Sequence, residues 1–88
     1  MKALTKKDFT QYGKQSIFAH LFIHRIKDGG AICLMPCLEG YCVTRQDKDY
    51  NRIGEKTCTN IQGILNKGGD MDEALDKAII IANKKLHE

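Results

Sequence analysis

Ser16-Ile17-Phe18-Ala19-His20-Leu21-Phe22-Ile23-His24-Arg25-Ile26 runs through Lys27 into the dipeptide Asp28-Gly29, and the reading of this stretch decides the fold. Its β-branched and aromatic residues suit a pleated, half-buried surface, and Asp-Gly after such a run is a hairpin signal, so it predicts a strand. A helix is the alternative, because Phe18, Leu21, Phe22 and Ile26 also share a 3.6-residue stripe. On the strand reading a second strand follows over Ala31–Cys37 and a third over Tyr41–Gln46, joined across Glu39-Gly40. The result is a three-stranded antiparallel meander.

Two-residue turns at Asp28-Gly29 and Glu39-Gly40 would set the register. Ile26 then faces Ala31, His24 faces Cys33, Phe22 faces Met35, His20 faces Cys37, and Cys37 faces Cys42. One sheet face carries Leu21, Ile23, Leu34, Pro36 and Val43, a plain core surface. The other carries Phe18, His20, Phe22, His24, Cys33, Met35, Cys37 and Cys42, too apolar for water and too polar for an ordinary core, which marks it as a candidate docking surface. His20, Cys37 and Cys42 would sit side by side at about 5 Å spacing and form the candidate metal set. Against a metal, the linear spacing C-x3-C-x4-C matches no strong zinc pattern, and a one-residue slip disperses the cluster. The expectation is four free, reduced cysteines and no cofactor.

Outward from the meander, Thr5 with Asp8 three residues on forms a variant capping box, and Leu4 with Phe9 a hydrophobic staple, which predicts a helix over Lys6–Gly13. Residues 47 to 54 read as a polar loop. Thr59 with Gln62 offers a second capping box before Ile61, Ile64 and Leu65, hence a short helix ending at Gly68. The last helix has Asp70 as cap, acids in its first turn and Lys84, Lys85 and His87 at its end, all favourable to the helix dipole. Met71, Ala74, Leu75, Ala78, Ile79, Ala82 and Leu86 form its buried stripe, with Ile80 on the opposite side. The fold class is α+β: a three-stranded antiparallel meander with an N-terminal helix and one or two C-terminal helices, in the order α-β-β-β-α-α. That order resembles the α-β-β-β-α of double-stranded RNA-binding domains. The resemblance is one of topology, because a final helix opening on Asp70, Asp72 and Glu73 repels the phosphates that those domains bind there.

At 88 residues the chain has interior for one domain, and 42% apolar with 28% charged residues is ordinary globular usage. A net charge of +3 neither demands nor forbids a polyanion partner. No apolar run is long enough to span a membrane, and Met1-Lys2-Ala3-Leu4-Thr5-Lys6-Lys7-Asp8 turns polar too early for a signal peptide, so a cytoplasmic protein is expected. The basic residues are interleaved with acids. Lys48, Tyr50 and Arg52 are the candidate nucleic-acid contacts, the tyrosine as a stacking group.

No phosphate-cradling glycine motif, nucleophile elbow or paired CxxC is present, so catalysis is not expected. The leading expectation is a non-enzymatic protein that binds a protein partner through the sheet face of Phe18, His20, Phe22, His24 and Met35 or through the Ile80 side of the last helix, with self-association as a variant. Stand-alone domains of this kind are common among phage and mobile-element accessory proteins, including inhibitors of host defence. Nucleic-acid binding is the alternative, and a small Cys/His metal-binding protein the second alternative.

Overall fold

Five strands in sequence order form one antiparallel sheet, in a computed structural model that describes residues 3–14, 20–27, 29–37, 39–61 and 71–87. They are β1 (Thr10–Lys14), β2 (His20–Arg25), β3 (Ala31–Cys37), β4 (Gly40–Gln46) and β5 (Arg52–Cys58), followed by a helix α1 (Met71–Leu86). The expected three-stranded meander with an N-terminal helix is therefore corrected to a mostly β fold with a wider sheet. The helix expected to end at Gly68 falls largely outside the described residues; Thr59 to Ile61, at its expected start, are not helical.

Both added strands have a physical reason. The capping box exists, with the Asp8 carboxylate accepting from the Thr5 N–H at 2.7 Å and from the Thr5 hydroxyl at 3.2 Å. It caps only a single 3-10 turn, Lys6–Asp8. An isolated short helix is marginal, and the stretch beyond Phe9 instead gains a backbone ladder along the edge of β2. β5 was concealed because every residue from Arg52 to Thr57 is exposed. An edge strand held mainly by its ladder to β4 has no alternating apolar signal, and its charges Arg52, Glu55 and Lys56 suit an edge that must resist pairing with other chains.

The register of the first hairpin differs from the expected one by a single residue. Ile26 donates its N–H to the Gly30 carbonyl at 2.9 Å, so three residues rather than two make the loop, with Gly29 at φ +98°. Phe22 therefore faces Leu34, Ile23 faces Cys33 and His24 faces Ile32. One residue of slip moves every side chain of a strand to the opposite face. Phe22 becomes core and Leu21 and Ile23 move outward, the reverse of the expected assignment. In the second hairpin Cys37 faces Gly40 and Met35 faces Cys42, a two-residue difference that preserves the faces of β4.

The core lies between α1 and one sheet face: Phe22, Ile32, Leu34, Tyr41 and Val43 meet Ala74, Leu75, Ala78, Ile79 and Ala82, with Leu4 and Phe9 closing one side. The expected stripe of the last helix is correct at those five helical positions. Lys85 is buried, with its ammonium donating to the Glu55 carbonyl of β5. Arg45 of β4 donates from Nη1 to the Lys85 and Leu86 carbonyls at 2.8 and 3.3 Å, satisfying groups that a helix C-terminus leaves open. Asn83 exchanges hydrogen bonds with the Leu4 backbone, accepting at 2.7 Å and donating at 3.1 Å, and so ties the N-terminal segment to α1.

Candidate functional site

Among the described residues, α1 packs on one face of the sheet, chiefly on β4. Alternation along the strands puts Ile23, Cys33, Met35, Cys42, Thr44 and Cys58 on the other face, where Ile23, Cys33 and Thr44 share one cross-strand row and Met35, Cys42 and Cys58 the next. Met35, at 52% exposure, is the most open of the large apolar side chains there. Leu21, Ile23, Cys42 and Cys58 around it are half-buried, while Cys33 is buried.

At one end of this face three thiols converge. Cys42 and Cys58 are direct cross-strand partners with sulfurs 2.6 Å apart, and the Cys37 sulfur joins them, all three within 4.8 Å of one another. Thr59, the residue after Cys58, fixes the backbone beneath. Its hydroxyl donates to the Glu39 carbonyl at 2.7 Å and accepts from the Tyr41 N–H at 3.2 Å, while its own N–H donates to the Tyr41 carbonyl. One buried side chain thus joins the end of β5 to the β3–β4 turn that flanks Cys37 and Cys42.

Burial, and after it the neighbouring thiols of Cys58 and Cys37, push the Cys42 thiol up from its ordinary value near 9 to about 12. Burial also raises Cys33 and, with a smaller contribution from Asp72, the phenol of Tyr41. A thiol held neutral is a poor nucleophile, so Cys42 is unsuited to thiolate attack at neutral pH. These groups release protons more readily unfolded than folded. Their stabilisation is complete below about pH 9 and is lost as pH rises toward 12. Thermal melts should therefore show a falling Tm from about pH 9 upward, with a shallower fall in Cys42→Ala. A Tm that holds flat or climbs over that interval would contradict the burial of these three groups.

The other sequence candidates are dispersed. Phe22 is buried in the core at 5% exposure. His24 lies on the α1 side, its Nδ1 3.0 Å from the Asp8 carbonyl and its ring 5.8 Å from that of Phe9. It borders a cleft of about 480 Å3 with Leu4, Arg25, Ile26, Lys27, Arg45 and Leu86. Ile80 stands 58% exposed on the outer side of α1, where the stripe of that helix places it, whereas Phe22 and His24 do not share a sheet face with Met35 as expected. Phe18 lies outside the described residues, and His20 pairs with Lys14 of β1. Of the expected metal set His20, Cys37 and Cys42, the two cysteines come together with Cys58, while the side chain of His20 lies outside what the structure describes. Cys58 escapes the sequence reading because Arg52 to Gly54 reads as the end of a polar loop and the rest of β5 carries no alternating pattern; the β-branched neighbours Thr57 and Thr59 are the signal that points to a strand.

Lys48, Tyr50 and Arg52 surround the β4–β5 loop and all are exposed. Asp47 organises it, accepting at Oδ1 from the N–H groups of Asp49 and Asn51 at 2.9 and 3.0 Å. Tyr50 occupies the left-handed position at φ +67° with 75% exposure, where glycine would be unstrained. Comparison with protein-family models, with curated proteins and with solved structures finds no match to the chain. No helix among the described residues is long and apolar enough to cross a membrane.

Proposed function

We propose that the chain is a non-enzymatic interaction protein that covers a surface of a protein partner, as small inhibitors and regulatory accessory proteins do, through the sheet face centred on Met35. The observation that carries this reading is the 52% exposure of Met35 on the face opposite α1. Half-buried Leu21, Ile23 and Cys42 lie around it. Methionine is flexible and polarizable, and so adapts to a partner's contours. Covering the exposed half of such a side chain is worth about 1 kcal/mol, a contribution to an anchor that its apolar neighbours extend. The centre of the face is apolar rather than cationic, which suits a protein surface better than a phosphate backbone.

Capture from the source-cell extract tests this, with wild type, Met35→Glu and Ile80→Glu immobilised in parallel. Both substituted positions are exposed, so each variant should keep its stability within about 0.5 kcal/mol. A partner held by wild type and by Ile80→Glu but lost by Met35→Glu is the expected result. Loss with Ile80→Glu alone would move the interface to α1. Sedimentation of the purified chain over a concentration series shows whether the partner is a second copy.

One observation favours nucleic acid as a second reading: Tyr50 is held strained and exposed between Lys48 and Arg52. Retention on single-stranded nucleic acid that weakens steeply with salt and is lost in Tyr50→Ala would support it.

A further inference from the structure

We propose that Cys37, Cys42 and Cys58 form a binding site for a single thiophilic d10 metal ion, Zn2+ or Cu+. The donors come from three adjacent strands, and their spacing is set by backbone ladders rather than by flexible loops: Cys42 pairs with Cys58, and Cys37 pairs with Gly40 two residues before Cys42. The sulfur separations, from 2.6 Å for one pair to an outer limit of 4.8 Å, bracket the roughly 3.8 Å edge of a tetrahedron built on metal–sulfur bonds of about 2.3 Å. Opening the Cys42–Cys58 pair by about 1 Å, a side-chain rotation, reaches that geometry.

Three further features suit a metal. All three cysteines are partly exposed, so an ion has an entry path, while Cys33, the buried cysteine, stands apart from the cluster. Thiolate sulfur selects zinc and monovalent copper among the common ions. The Thr59 bridge between the Glu39 carbonyl and the Tyr41 N–H holds the backbone beside each ligand, the kind of support that orients donors before the ion arrives. On binding, each of the three S–H groups gives its proton to solvent and its sulfur lone pair to the metal; the site then carries one net negative charge with Zn2+ or two with Cu+. Three protein ligands complete a trigonal Cu+ site, whereas zinc keeps a fourth position for water or an external donor.

The test uses the full chain, reduced, stripped of metal and kept under anaerobic conditions. It is titrated in one arm with Zn2+ and in another with Cu+, each against a competing chromophoric chelator. One equivalent bound in at least one arm is expected. Cys58→Ser should weaken binding at least tenfold, while Cys33→Ala leaves it unchanged. A second readout needs no variant: in the metal-loaded wild type, Cys37, Cys42 and Cys58 should resist alkylation together, as mapped by mass spectrometry. Failure to bind in both arms, equal weakening by Cys33→Ala, or alkylation of any of the three at its metal-free rate would overturn the proposal.

Discussion

Gly40→Ala is expected to remove a large share of the stability of the fold. Gly40 opens β4 at φ +109°, a conformation that costs a side-chain-bearing residue about 1–2 kcal/mol. A methyl group there would also press into the Thr59 hydroxyl and lie 3.1 Å from the Ala74 side chain of α1. Thr59 cannot step aside freely, because its hydroxyl is bonded to both Glu39 and Tyr41. Forced displacement in a packed interior costs a further 1–3 kcal/mol or about that, which brings the total to about 2–5 kcal/mol. Small domains have about 5–15 kcal/mol in all. Urea unfolding should show a midpoint lowered accordingly. Thr59→Gly is itself destabilising because it removes two buried hydrogen bonds, but in that background the added cost of Gly40→Ala should be smaller, since the clash is gone and the backbone strain remains. An unchanged midpoint for Gly40→Ala would mean that β4, β5 and α1 do not meet at this point.

Phe22→Ala should cost about 3–5 kcal/mol, whereas Met35→Ala should stay within about 0.5 kcal/mol. Phe22 is 5% exposed with its ring edge-on to that of Tyr41, centroids 6.2 Å apart. This pair of substitutions discriminates between the two registers of the first hairpin. With a two-residue turn Phe22 and Met35 would share a face and their costs would be alike; with the three-residue loop closed at Gly30 they lie on opposite faces. Urea midpoints lowered equally by the two substitutions would contradict the observed register.

The reading of the sequence succeeded where burial writes a periodic pattern and failed where it does not. β3 was legible to the residue, and five positions of the α1 stripe were assigned correctly, because Ile32 and Leu34 in the strand and Ala74, Leu75, Ala78, Ile79 and Ala82 in the helix point into one core. β5 carries no such pattern, since its ladder to β4 and not its side chains makes it a strand. The thiol cluster was half legible: Cys37 and Cys42 flank a recognisable turn, but Cys58 arrives from the concealed strand. The docking face was misassembled by one extra loop residue. Asp28-Gly29 signalled a hairpin, yet glycine at positive φ also closes three-residue loops, and the dipeptide does not say which.

The claim that the Met35 face meets a protein partner is tested most directly by oxidative footprinting of the chain in source-cell extract and in buffer. Met35, 52% exposed on the free chain, should oxidise readily in buffer and be protected in extract. Ile80 and Tyr50 should label equally in both, and Met35→Glu should abolish the protection of its neighbour Ile23. Equal oxidation of Met35 in extract and in buffer, with Ile80 or Tyr50 protected instead, would place the interface elsewhere and contradict the account.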